Sequence, residues 1–238
     1  MSPRESLDEL FRRAVTFPGP NVRIAGLETA LEVVEDQLTH ARDQATVRLR
    51  ARHKRDGDVL HPDDQAQDLY ELEVTIDQIL PRVFRGGFVL TLWSVFEVVV
   101  KDMAEYAYAQ RQLPFDSKVF RQPNFLTQMN GVYSQNLGVV AFPDTEVRSQ
   151  LDSLRLLRNA LVHHNGSVAA LPDSLRRTEK DEYAAIGLHL YSDIHHEYVV
   201  PDGKYIRHNF ELVRSYLASL AERLYDAVHP EPLKDEDA

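Results

Sequence analysis

Hydrophobic residues recur along most of the chain at alternating spacings of three and four, which is the pattern of helices with one buried face. We expect the helix over residues 82–110 to be central, because it is the most apolar. Pro81 should end or kink the helix before it, and Gly131 should break a shorter one. The pattern predicts helices over about residues 7–14, 24–52, 69–80, 82–110, 122–137, 144–164 and 210–228.

The segments between these helices predict one small hairpin. Residues 197–200 and 204–206 have strand character, and they flank the turn sequence Pro201-Asp202-Gly203. Asn165-Gly166 should end the helix over residues 144–164. We therefore predict an all-α helical bundle with a small β-hairpin before the last helix.

Changes in composition divide the chain into three parts. Residues 53–64 are polar and contain Gly57 and Pro62, so we expect a loop there. That loop separates a helical extension over residues 1–64 from a helical domain over residues 65–228. Residues 229–238 are acidic and contain proline, which predicts a disordered tail.

The overall charge excludes some functions and predicts a location. A formal net charge of -10 argues against a protein that coats nucleic acid by bulk charge, so any contact with nucleic acid must be local. Without cysteine, the chain has no disulfides, thiolate metal sites or cysteine nucleophiles. The start has no apolar core of a signal peptide, and the apolar run over residues 86–96 is too short to span a bilayer. We expect a soluble, cytoplasmic protein with no membrane partner.

Arg158 interrupts the apolar face of the helix over residues 144–164. A guanidinium keeps its charge, so burial without a partner is costly and predicts a carboxylate, a phosphate or a polar cleft nearby. Asn159 and His163 are four residues apart and share one edge of that face. An arginine, an amide and an imidazole thus converge near one helix end. The apolar face itself comprises Val147, Leu151, Leu154, Leu157, Leu161 and Val162.

Glu97 is a second charge on a face that is otherwise apolar. Its carboxylate projects from the helix over residues 82–110, among large apolar side chains such as Trp93 and Val100. Two misplaced charges of opposite sign predict that Glu97 and Arg158 meet. Two interpretations are open: a buried ion pair that fixes the register of the helices, or a glutamate that orients a catalytic arginine.

The segment Arg158-Asn159-Ala160-Leu161-Val162-His163 resembles the Arg-x4–6-His motif of HEPN domains, including the polar residue that often follows the arginine. The order of elements is also similar: an apolar helix with an internal glutamate, the motif helix, a short irregular or hairpin segment, and a closing helix. The resemblance covers residues 65–228.

HEPN domains are all-α and usually dimeric, and many are metal-independent endoribonucleases of toxin–antitoxin, abortive-infection and CRISPR systems. The resemblance implies RNA as substrate, no cofactor, and one composite cleft built from the motif copies of two subunits. His163 would act as general base or acid, Arg158 would stabilise the charge on the phosphorane, and Asn159 would position either group. Cleavage should leave a 2′,3′-cyclic phosphate. An antitoxin or another regulatory protein is a possible partner.

Two features depart from the family pattern. Toxins that are silenced by a nucleotidyltransferase antitoxin carry tyrosine two positions after the motif histidine, where this chain has Asn165. His164 follows His163 directly, so either register fits the motif, and we favour His163 because it is in phase with Asn159. Some HEPN domains are non-catalytic, so a helical dimer that binds a nucleotide or scaffolds a partner is the alternative function.

Two other clusters give weaker signals. His189, His195 and His196 are candidate metal ligands, but a strand would alternate their faces, and we predict no metal site. Arg48, Arg52 and Arg55 share one helical face. This basic cluster is either a solvated helix end or a local contact for RNA. Phosphate-binding glycine loops and Ser-His-Asp arrangements find no support in the sequence.

Overall fold

The computed structural model describes residues 20–56, 61–121, 124–177, 179–192 and 197–229. The chain is mostly helical, with one two-stranded antiparallel hairpin before the last helix, as the sequence predicted. The elements in order are α1 (Pro20–Asp56), α2 (Pro62–Glu73), a π-helical segment (Val74–Ile79), α3 (Leu80–Gln110), a 3-10 turn (Ser117–Arg121), α4 (Phe125–Asn130), a second π-helical segment (Gly131–Asn136), α5 (Thr145–His164), a 3-10 turn (Val168–Ala170), α6 (Lys180–Ala185), β1 (Leu188–Ser192), β2 (Glu197–Pro201) and α7 (Gly203–Val228).

Pro81 does not end the helix that precedes it. The helical stretch runs on from Pro62 to Gln110, with the first π-helical segment just before the proline. There the Leu80 amide donates to the Thr75 carbonyl, five residues back. Proline lacks an N–H and crowds the preceding turn, and a wider turn accommodates both effects. Gly131 likewise begins a π-helical segment with helical backbone angles, so it changes the helix type without interrupting the chain's helical path.

The predicted hairpin was wrong in its second strand. The observed partner of β2 is β1, in the register Leu188 to Pro201. Residues 204–206 form the first turn of α7, because the Asp202 carboxylate accepts a hydrogen bond from the Tyr205 amide at 2.7 Å. Asp202 is therefore a helix N-cap, and an N-cap side chain in this position starts a helix where the sequence suggested a tight turn.

The chain divides into two compact units, the first comprising Met1–Ala25, Trp93–Asp152 and Glu211–Ala238. Its core is aromatic: Phe96 lies against Trp93, Phe125 and Tyr216, with ring centroids 5.1 to 5.9 Å apart. The buried Tyr133 hydroxyl donates to the Val100 carbonyl at 2.7 Å. Large rings with satisfied polar groups give this unit a specific, dense core.

The second unit comprises Gly26–Leu92 and Ser153–Phe210. Within it, ion pairs hold α1 antiparallel to the helical stretch that follows. The pairs are Glu35–Arg85 at 2.6 Å, Arg42–Asp77 at 3.1 Å and Arg52–Asp68 at 3.1 Å. Residues on both sides of position 64 thus pack within one unit, and the expected domain boundary there stays a prediction.

The stretch Pro62–Gln110 is long and apolar enough to cross a membrane by length and composition alone. Core helices of soluble proteins pass the same test, and the side chains of Phe88, Trp93 and Phe96 are buried inside the protein. Of its most apolar window, 44% is buried inside the protein. The absence of a membrane partner and the cytoplasmic location therefore stay predictions. The predicted first helix over residues 7–14 and residues 230–238 of the predicted tail fall outside the described residues. His229, the first residue of that predicted tail, is described, and its ring centroid lies 4.6 Å from that of Tyr225.

Candidate functional site

Helix α5 carries the motif and has well-defined ends. It begins after Asp144, whose carboxylate accepts a hydrogen bond from the Glu146 amide at 2.7 Å. It ends where Asn165 and Gly166 take left-handed angles, with φ of 52° and 76°. The Gly166 amide then donates to the Ala160 carbonyl at 3.0 Å, six residues back, so a carbonyl of the last turn has its partner just beyond the helix. The predicted start and stop of this helix are both confirmed.

The apolar face of α5 is narrower than the sequence suggested. Leu151, Leu154, Leu157 and Ala160 are buried, whereas Val162 is 44% exposed. Val162 was therefore wrongly placed on the buried face. Arg158 is half-buried and lies at the edge of the buried stripe rather than in its middle. This edge position lets the guanidinium leave the core and still keep part of its stem covered.

The guanidinium of Arg158 is only partly satisfied within the protein. Its Nη1 donates to the Asn159 side-chain oxygen at 3.0 Å, which brings two of the predicted site residues together. Its Nε is buried and has no hydrogen-bond partner. A buried donor without an acceptor is uncommon in a folded protein, and a bound anion or an ordered water is the usual explanation. The side chain is thus held by its neighbour while donor capacity remains free.

His163 and His164 lie on the last turn of α5, and both side chains are exposed. Their ring centroids are 6.4 Å apart with planes at 70°, so the two imidazoles point in different directions. The turn that carries them is fixed, because the Gly166 carbonyl accepts a hydrogen bond from the Val199 amide of β2 at 2.9 Å. The imidazoles are exposed side chains on a rigid backbone.

Exposed apolar side chains accompany the motif in the second unit. Gly86 of α3 packs toward Leu161, since a Cβ added at Gly86 would lie 3.8 Å from that side chain. Val83, three residues before Gly86 and therefore on the same side of α3, is 61% exposed, and Val162, next to Leu161, is 44% exposed. We call Val83 and Val162 the apolar patch. Single exposed apolar side chains are common, so this patch gains meaning from the dimer proposed below.

Glu97 and Arg158 each have a local partner. The Glu97 carboxylate accepts a hydrogen bond from the Trp93 indole at 2.8 Å, within one turn of α3. Glu97 belongs to the first compact unit and Arg158 to the second. The expected meeting of the two charges stays a prediction. The indole already explains why a carboxylate is tolerated on this face, since a buried Trp N–H usually takes an acceptor.

The basic cluster on α1 is largely paired. Arg52 donates to Asp68 at 3.1 Å, Arg55 donates to its neighbour Asp56 at 3.0 Å, and Arg48 donates to the Gln44 side chain at 3.4 Å. Pairing with carboxylates lowers the positive potential available to a phosphate backbone. These contacts favour the interpretation of Arg48, Arg52 and Arg55 as a structural, solvated helix end.

Of the hairpin histidines, His195 and His196 lie outside the described residues, so the expected absence of a metal site stays a prediction. His189 is half exposed, with its Nε2 3.4 Å from the Asp202 carboxylate. The sequence did not predict that contact or the ion pairs of α1, because each joins residues far apart in the chain. The local sign of such an ion pair was an acidic residue, such as Glu35, beside an apolar face.

Comparison with protein-family models, with curated proteins and with solved structures finds no match to this chain. The resemblance to HEPN domains therefore stays a prediction. It rests on the Arg158–His163 motif and on the order of the helices.

Proposed function

We propose that this protein is a metal-independent endoribonuclease that acts as a homodimer, with Arg158, Asn159 and His163 in its active site. The observation that carries the proposal is the state of Arg158: half-buried, held by Asn159 at 3.0 Å, with a buried Nε that has no partner in the protein. A purely structural arginine would be expected to use its donors. A spare, partly desolvated guanidinium beside an exposed imidazole is suited to a phosphate.

The chemistry follows from these groups and needs only the RNA's own nucleophile. His163 accepts the proton of a ribose 2′-hydroxyl, and the 2′-oxygen attacks the adjacent phosphorus. Arg158 stabilises the negative charge of the phosphorane, and Asn159 fixes the orientation of the guanidinium. The bond from phosphorus to the 5′-oxygen breaks, and that oxygen takes a proton from an imidazolium. The products are a 2′,3′-cyclic phosphate and a 5′-hydroxyl.

A second copy of the chain completes the proposed site. The His163 imidazole is exposed on one protomer, and the neighbouring apolar patch would be covered by a partner. A two-fold interface places the same residues of both subunits near the axis, so two copies of His163 would serve one cleft as base and acid. The resemblance to HEPN domains adds the setting of a bacterial defence or toxin system, with a regulatory protein that restrains activity.

The test uses the purified full-length protein with varied single-stranded RNAs in EDTA. RNA should be cut, whereas DNA and RNA methylated at the 2′-oxygen should survive. His163→Ala and Arg158→Ala should each lower the rate by about 10² or more, as expected when a general base or a charge-stabilising donor is lost. His164→Ala is the matched control and should lose much less. If the folded protein cuts no RNA but binds a nucleotide through Arg158, the non-catalytic alternative replaces this proposal.

A further inference from the structure

A cavity of about 280 Å³ lies within the first compact unit, between the first turn of α5 and the second half of α7. Its apolar lining comes from Val147, Leu212 and the ring of Tyr216. Its polar lining comes from Ser215, Ser219 and Arg223. This combination of an apolar body and a few converging polar groups is typical of sites for small molecules. The volume is slightly below the common range of about 300–1,000 Å³, so it suits a compact ligand.

Arg223 resembles Arg158 in one respect. Its Nε is buried and has no hydrogen-bond partner, and these two are the only side-chain atoms in that condition among the described residues. Its Nη1 donates to the Ser219 hydroxyl at 2.6 Å. A guanidinium has five N–H donors and keeps its charge, so an orphaned Nε beside a cavity leaves capacity for an anion.

The backbone acceptor near Arg223 is already in use. The Ala141 carbonyl accepts a hydrogen bond from the Tyr216 hydroxyl at 2.8 Å, and Arg223 Nη2 lies 3.4 Å from the same oxygen. Burial raises the pKa of Tyr216, so its hydroxyl stays protonated and keeps donating to Ala141. Phe142 stacks on Tyr216 with ring centroids 5.6 Å apart, which holds the ring in place. The contact of Nη2 with Ala141 is therefore long and shared, and a ligand acceptor would improve on it.

We propose that this cavity binds a small organic anion, a carboxylate or a phosphate monoester on a compact apolar body. The anionic group would accept hydrogen bonds from the Arg223 guanidinium, with the Ser215 hydroxyl also in the polar lining. The apolar body would lie against Val147, Leu212 and the Tyr216 ring. Asp144, which also lines the cavity, is exposed and accepts a hydrogen bond from the Glu146 amide at 2.7 Å, so this carboxylate already has a partner at the start of α5. This site shares no residue with the proposed active site.

The test titrates the full-length protein with four probes, followed by amide shifts in ¹⁵N TROSY spectra. Benzoate and phenyl phosphate carry both features, inorganic phosphate lacks the apolar body, and benzyl alcohol lacks the charge. Benzoate, phenyl phosphate or both should saturate with a Kd at or below about 1 mM, a modest affinity for so small a molecule. The amides of Val147, Ser215 and Ser219 should shift. Inorganic phosphate and benzyl alcohol should bind at least tenfold more weakly.

Three variants locate the binding. Arg223→Gln should weaken the binding of the anions about tenfold or more, as expected for loss of a charge-assisted hydrogen bond. Ser215→Phe should fill the cavity and abolish binding with Arg223 in place, and this variant decides the matter if Arg223→Gln fails to fold. Arg207→Gln, on the same helix but outside the cavity, should bind as the wild type does.

Three results would overturn the proposal. The first is a folded wild-type protein that saturates with neither anion, which would leave a solvent-filled cavity. The second is anion binding that survives both Arg223→Gln and Ser215→Phe. The third is preferential binding of benzylamine that is lost in Asp144→Asn, which would assign the cavity to cations.

Discussion

At the scale of single residues, Gly166 connects the motif helix to the hairpin. Its φ of 76° lies in the left-handed region, and a Cβ there would stand 2.9 Å from the Val199 carbonyl oxygen. Only glycine combines that angle with so close an approach to another backbone. The exposed imidazoles of His163 and His164 are therefore carried by a turn whose path is fixed from both sides.

Gly166→Ala should destabilise the fold by about 2–3 kcal/mol, since alanine adds both the left-handed strain and the contact with Val199. Gly26→Ala is the matched control, because nothing lies within 4 Å of an added Cβ in its exposed helical position. In that control the free energy of unfolding should rise by about 0.5–1 kcal/mol. Urea unfolding monitored by circular dichroism measures both. Equal stability of the two variants would show that the turn after α5 is not constrained in this way.

At the scale of elements, the pairing of α1 with α3 depends on Glu35 and Arg85. The two side chains form a bidentate pair, at 2.7 and 2.6 Å, and each is about one-fifth exposed, at 23% and 20%. Burial disfavours the charged guanidinium, but the hydrogen bonds and charge of Glu35 outweigh it and raise the pKa of Arg85. The guanidinium therefore stays charged, and removing its carboxylate partner leaves a charge that is mostly cut off from water.

We expect Glu35→Ala to lower the free energy of unfolding by about 2–3 kcal/mol, somewhat less than for a fully buried pair. The double variant Glu35→Leu with Arg85→Met should recover much of that loss, because apolar side chains of similar size often replace an ion pair well. Arg55→Ala, at the exposed pair with Asp56, should cause no measurable change. A harmless Glu35→Ala would mean that apolar packing alone sets the register of α1.

The sequence predicted most elements because the helical period is local information. The end of α5 could be predicted from Asn165-Gly166, since helix termination depends on residues close in the chain. Two departures from the prediction have local causes. A widened turn carries the helix past Pro81, so the helix does not end there, while the expected kink stays a prediction. The side chain of Asp202 caps α7 where a hairpin turn was expected. Long-range partners, such as Arg85 for Glu35, have no periodic signature.

The same distinction between local and long-range information applies to the candidate site. The motif residues could be found from spacing, because Arg158, Asn159 and His163 lie within two turns of one helix. The partner of Glu97 could not be chosen from the sequence, since the Trp93 indole and a distant arginine are both reasonable partners for a carboxylate. Nothing in the sequence indicates a site at Arg223, because an arginine on an amphipathic helix is common. Only the surroundings of its side chain distinguish it.

At the scale of the whole molecule, the account requires a dimer. The apolar patch of Val83 and Val162 should lie in the interface, since a partner would remove exposed apolar surface from water. Light scattering should give a dimer at micromolar concentration. Val162→Glu should shift the protein to a monomer, because it would bury an unpaired carboxylate in the contact.

Val47→Glu is the matched control for the dimer, because Val47 is 64% exposed on α1. The protein with this substitution should remain dimeric. Circular dichroism should show that both variants keep their helical content. A monomeric wild-type protein would contradict the composite site. A dimer that withstands Val162→Glu would place the interface elsewhere on the surface.

The central claim is that Arg158 and His163 cleave RNA through its own 2′-hydroxyl. Mass spectrometry of the RNA fragments formed in EDTA tests it most directly, because the chemistry of the new ends records which oxygen attacked. The account predicts 2′,3′-cyclic phosphates and 5′-hydroxyls with the wild-type protein, and neither with His163→Ala or Arg158→Ala. Fragments that end in 3′-hydroxyls and 5′-phosphates, or intact RNA after incubation with the folded dimer, would contradict it.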